Sequence, residues 1–140
     1  MKFLTPNGKL VNKNMNPYRI EWDNPKKSRS KIQFKVKQFL KPFWQQHLCF
    51  EESPVVGTLL KVDILNATLK IAVEIQGNQH TEFNKFFHNN SPAKYLKGFK
   101  NDVKKAEWLE LNGYKLIEIY EDEVDTLSKE FFKDKFGIIL

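Results

Sequence analysis

The sequence predicts an α/β fold: a central mixed β-sheet of about four strands flanked by helices, with the core order α β β β α β. Three observations predict it. Residues 30–44 carry apolar side chains at helical spacing. Residues 48–76 hold three short apolar runs separated by turn residues, and residues 93–120 read as a second helix followed by another strand. The 140 residues, 41% of them hydrophobic, are enough for one sizeable core and too apolar for a disordered chain.

Residues 1–29 are expected to form a basic N-terminal arm. They are rich in Asn, Lys, Pro and Gly without a sustained period, and only Tyr18, Ile20 and Trp22 alternate as a short strand would. Residues 30–140 form the expected globular unit. Its first helix runs from about Ser30 to Trp44 on Ile32, Val36, Phe39, Leu40 and Phe43. Ser30 and Gln33 make an S-x-x-Q capping box, and Pro42 kinks or ends the helix. Strands follow at Leu48 to Glu52, Leu59 to Leu65 and Lys70 to Gln76, the last two joined by a turn at Asn66-Ala67-Thr68. On the third strand Ile71, Val73 and Ile75 share one face, and Ala72, Glu74 and Gln76 the other. Residues 77–92 read as a polar loop. The second helix spans Ala93 to Asn112 on a stripe of Leu96, Phe99, Val103, Ala106 and Leu109, stopped by Asn112-Gly113. A fourth strand, Tyr114 to Tyr120, precedes an acidic-started helix from Glu121 to Lys135.

The charge is uneven. The formal net charge is +6, yet residues 1–50 hold eleven Lys or Arg against Glu21 and Asp23, giving +9, while residues 51–140 give −3. A basic third on a globular body is the electrostatic footprint of a polyanion partner. The bland alternative is solubility alone. One cysteine, Cys49, excludes a disulfide framework and a cysteine-based zinc cluster. No leader-like apolar stretch or run long enough to span a membrane occurs, so a cytoplasmic setting and no membrane partner are expected.

The chemistry concentrates in VDILNATLKIAVEIQGNQH, Val62 to His80. Glu74 and Gln76 point the same way from a strand whose other face is β-branched. A carboxylate there costs several kcal/mol unless it is paired, hydrogen-bonded or bound to a cation. Asp63 on the neighbouring strand repels Glu74 and raises its pKa. A divalent cation between them resolves both problems, and hard oxygen donors suit Mg2+. A hairpin centred on Ala67 sets Asp63 opposite Ile71, about 10 Å from register with Glu74. The metal reading therefore requires a bulge, kink or twist near Asp63. The alternative leaves Asp63 at a strand end and Glu74 solvated on an open face.

D-x10-E-x-Q after a capped helix resembles the PD-(D/E)XK nuclease superfamily, with its restriction-endonuclease-like sandwich. Glu74-Ile75-Gln76-Gly77 with Gln79-His80, then Asp102, Lys105, Leu109 and Gly113-Tyr114, are similar to the DUF559 and very-short-patch-repair-like branch. The resemblance covers about Ser30 to Ile119. It implies a metal-dependent DNA endonuclease, of the free-standing phage-type homing or site-specific kind, in a bacterial or phage-infected cell. It implies Asp63 and Glu74 as metal ligands with the carbonyl of Ile75 as a third, and Mg2+, or Mn2+ in its place, as cofactor. Gln76 stands where the superfamily has Lys, so Lys104 or Lys105 is a candidate for the missing charge. Gln33 stands where relatives carry a helix-one Glu, its capping role being the alternative. His80 is a candidate general acid or base, with an ordinary polar contact as the alternative. His88 is a weaker one.

Double-stranded DNA is the expected partner. Lys26, Lys27, Arg29 and Lys31 precede or open helix one, and Lys97, Lys100, Lys104 and Lys105 lie on helix two as candidate phosphate contacts. A solvated helix face is the alternative for the second group. Tyr18, Trp22, Phe83, Phe86 and Phe87 are candidates for base stacking, against ordinary packing. One small domain carries one site, so double-strand cleavage calls for a homodimer or two successive nicks. A catalytically degenerate binding module and a structure-specific nuclease for junctions or mismatches are the competing readings.

Overall fold

The computed structural model describes residues 1–77 and 92–140, with the backbone alone for residues 92–99. Strands β1 (Lys2–Leu4) and β2 (Leu10–Asn12) form an antiparallel pair. Helix α1 spans Lys31–Trp44 and is followed by β3 (Cys49–Pro54), β4 (Lys61–Asn66) and β5 (Ile71–Gln76). Helix α2 (Pro92–Leu111), β6 (Lys115–Tyr120) and α3 (Lys129–Phe136) complete the chain. The main sheet has the order β3-β4-β5-β6: an antiparallel meander, then a parallel pairing of β5 with β6 across α2. A mixed α/β architecture with four central strands is thus observed.

Residues 1–29 are not an extended arm. Phe3 and Met15 are buried in one cluster with Phe50, Val62, Leu65, Ala72, Trp108 and Leu109. The expected strand at Tyr18 to Trp22 reduces to a single bridge, Arg19 to Phe50, flanked by 3-10 turns at Asn16–Tyr18 and Pro25–Lys27. Tyr18 and Trp22 pack against the two cores, as ordinary packing residues do. The second cluster joins Val36, Leu40 and Trp44 of α1 and Phe132 of α3 to Ile64, Ile71, Val73, Ile75, Ile117 and Ile119. The alternation along β5 therefore feeds two cores, which is why both of its faces are buried.

Four elements depart from the expected boundaries for physical reasons. The β3 strand runs through Ser53 and Pro54, because proline is tolerated at the end of an edge strand. Leu59 leaves the strand for a turn in which Gly57 takes φ +92° and Leu60 accepts from Val55 N–H. The chain after β6 breaks into a 3-10 stretch, Glu121–Thr126, and α3, because Ser128 caps a new helix by accepting from Phe131 N–H. On α2 the inward face is Lys105, Trp108, Leu109 and Asn112, while Val103, expected in the core, is exposed. The positions i, i+3, i+4 and i+7 are those of one helix face.

Candidate active site

The turn after β4 decides the geometry. It occupies residues 67–70, not Asn66 to Thr68, with Asn66 Oδ1 accepting from Leu69 N–H at 2.9 Å and Lys70 at φ +58°. The ladder therefore pairs Asn66 with Ile71, Leu65 with Ala72 and Ile64 with Val73. One further step in that register aligns Asp63 with Glu74, and the expected three-residue offset disappears. The ladder itself stops at Ile64 and Val73. Ile75 N–H donates instead to Asp63 Oδ2 at 2.8 Å. A side chain has replaced a backbone carbonyl as acceptor, so the two strands part where the carboxylates meet.

A matching irregularity lies on the other side of β4. Glu51 pairs with Ile64 and Ser53 with Val62, but the Glu52–Asp63 pair between them is missing and Glu52 takes φ +50°. A non-glycine residue in the left-handed region costs of order 1 kcal/mol. Glu52 thereby joins the wall of a cleft of about 450 Å³, together with Asp63, Glu74, Gln76, Asn101 and Lys105.

Both carboxylates are buried, Asp63 at 3% and Glu74 at 6% exposure, so neither is a solvated strand residue. Basic side chains offset them. Lys105 Nζ lies 3.0 Å from Glu74 Oε1, and Arg29 Nη2 lies 3.3 Å from Asp63 Oδ2 and 3.4 Å from the carbonyl of Ile75. Burial, then the charge and hydrogen bond of Asp63, push the Glu74 carboxyl up to about 8, with Lys105 opposing. Burial and Asp63 also raise Glu52 above its ordinary value.

Behind the site, α1 is fastened to β3 by polar groups. Lys37 Nζ, fully buried, donates to Glu51 Oε1 and to the Asn24 carbonyl, each at 2.8 Å. Ser28 Oγ donates to Glu51 Oε2 at 2.7 Å. Gln33 makes only half of the expected capping box. Its N–H donates to Ser30 Oγ, but its side-chain amide turns to Glu51 Oε2 at 2.9 Å and Glu52 Oε1 at 3.5 Å. A buried carboxylate is the stronger acceptor partner for that amide. The network fixes the segment 28–30 that delivers Arg29.

Of the residues expected at the site, Asp63, Glu74, Ile75, Gln76, Arg29 and Lys105 converge. Lys26, Lys27, Lys31, Lys100 and Lys104 are exposed, with Lys27 paired to Glu21 at 3.4 Å. His80, His88, Phe83, Phe86 and Phe87 lie outside the described residues, as does the side chain of Lys97. Glu52 and Lys37 were not singled out. Adjacent glutamates at the end of an apolar strand, and a lysine on the apolar stripe of helix one, were their signals.

The donor set fits a hard divalent cation: two carboxylates and a backbone carbonyl at one end of a cleft. Among the described residues no group of three or more His, Cys, Asp or Glu is arranged to hold a metal. No helix among the described residues is long and apolar enough to cross a membrane.

No family model matches the chain, and no solved structure shows a significant match. It is similar to "Uncharacterized protein 033L" of Invertebrate iridescent virus 3, 36% identical over 81 residues, covering 58% of this chain and 41% of the relative. It is also similar to "Uncharacterized protein 094L" of Frog virus 3 (isolate Goorha), 34% identical over 67 residues, 48% of this chain and 43% of the relative. The chain thus spans less than half the length of these curated relatives.

Proposed function

We propose that this chain is a divalent-metal-dependent DNA endonuclease on a restriction-endonuclease-like sandwich. The observation that carries the reading is the parting of β4 and β5 at Asp63 and Glu74. A fold that needed only stability would continue the ladder there and bury apolar residues, because two adjacent buried carboxylates are costly. A divalent cation held by these carboxylates would supply charge neutralisation and an activated water for phosphodiester hydrolysis. The protein's own groups have separable tasks. Asp63 and Glu74 would hold the cation, with the Ile75 carbonyl. Lys105 brings positive charge to the position where the superfamily's lysine is replaced by Gln76, and the Gln76 amide orients water or phosphate. His80 remains a candidate proton carrier from the resemblance alone.

The relatives belong to viruses named for invertebrate and frog hosts. That supports a virus-infected cell as the setting and leaves the phage-type homing form resting on the resemblance. A second reading, a non-catalytic DNA-binding module, is favoured by one observation: Lys105 and Arg29 already pair both carboxylates. Incubation of supercoiled, linear and branched DNA with wild-type protein, with Mg2+ or EDTA, and with Glu74→Ala separates these readings. Metal-dependent cutting lost in the variant is expected. Binding without cutting under Mg2+ and Mn2+ favours the module, and preferential cutting of branched DNA makes the enzyme structure-specific.

A further inference from the structure

We infer that Arg29 is the resident cation of the carboxylate site, that a divalent metal displaces it, and that the displaced guanidinium then contacts the nucleic-acid backbone. This inference rests on the metal-dependent reading above. A single nitrogen, Arg29 Nη2, touches both Asp63 Oδ2 and the Ile75 carbonyl, two of the three oxygens assigned to the metal. A metal that takes both oxygens takes the place of that nitrogen. The guanidinium does not titrate near neutral pH, so it cannot share the site by losing its charge.

Arg29 keeps a second partner outside that pair. Its Nε lies 3.9 Å from Glu52 Oε1, and Gln33 Nε2 reaches the same oxygen at 3.5 Å. Glu52 is therefore a pivot: Arg29 can leave Asp63 without leaving the cleft wall. The side chain is 58% exposed, so the freed fork opens to solvent, where its planar donors match phosphate oxygens. Metal and nucleic acid then favour the same displaced Arg29, and each strengthens binding of the other by the same factor.

Arg29→Gln tests this on the intact chain: the side chain is more than half exposed and lies outside both hydrophobic clusters. Mn2+ titrated into DNA-free protein by calorimetry is expected to bind the variant about fivefold tighter, because no ion pair has to break first. Binding of a short mixed-sequence duplex gives the second readout. With Ca2+ present, the wild-type salt dependence is expected to exceed that of the variant by about 0.9 in log–log slope, one phosphate contact. In EDTA the two slopes should coincide. Equal Mn2+ affinities, or a slope difference indifferent to Ca2+, would overturn the displacement while sparing the nuclease reading. No Mn2+ binding by either protein would overturn both.

Discussion

Glu74 and Asp63 sit where each raises the cost of the other, and that cost has a pH signature. The Glu74 carboxyl is ordinarily near 4.5 and is pushed up to about 8 by burial and by Asp63. Between those values the folded chain holds a proton that the unfolded chain has released. The contribution of Glu74 to the stability of the metal-free protein is therefore fully present below about 4.5 and is lost as the pH rises towards 8. Denaturation midpoints measured across that range should show the fall, and Glu74→Gln should flatten it, since the amide does not titrate. An unchanged slope in the variant would assign the effect elsewhere. Lys105→Met removes the group that opposes the shift. The fall should then extend to higher pH, and the rate of metal-dependent cleavage should drop by about 100-fold if this lysine serves the reacting phosphate.

At the scale of elements, polar anchoring and apolar packing divide the work. Lys37 and Glu51 are both buried beneath α1. Lys37→Met removes the charge partner of that carboxylate and is expected to cost about 3–5 kcal/mol in denaturant unfolding, and adding Glu51→Leu should recover only part of the loss, because Ser28 and Gln33 then lose their acceptor. Trp108, fully buried, holds α2 to the sheet, and Trp108→Ala is expected to cost about 3–5 kcal/mol. The first two helices, the four strands of the main sheet and the proximity of Asp63 to Glu74 were legible in the sequence, because alternation and helical spacing follow from backbone periodicity. The inward face of α2 was not, because Lys105 and Asn112 interrupt its hydrophobic stripe for reasons that lie on other elements. Asn112 serves Leu4, its Oδ1 accepting from the N–H and its amide donating to the carbonyl. The register of the β4–β5 hairpin was also hidden. It depends on a four-residue turn with Lys70 at positive φ, which no glycine announces. Arg29 read as a surface phosphate contact, since nothing local reveals that the chain returns it to Asp63.

Across the whole molecule, the basic excess of residues 1–50 is smaller in effect than in formal charge. Lys37 is buried, and Lys27, Lys35 and Lys41 are paired with Glu21, Asp125 and Asp23. A DNA footprint built on the remaining exposed residues of 26–31 and on α2 should therefore show a log–log salt slope of about −3 to −5. Replacing Lys100 and Lys104 together by Gln should reduce that slope by about 1.8 with no loss of stability. The central claim is that the two strands part at Asp63 and Glu74 to hold a cation at the mouth of a DNA-binding cleft. Anomalous diffraction from crystals soaked in Mn2+ tests it most directly. A peak in contact with Asp63, Glu74 and the Ile75 carbonyl, with Arg29 moved off Asp63, is the result expected. A clear map with no peak there, and Arg29 still seated between Asp63 and Ile75, would contradict it.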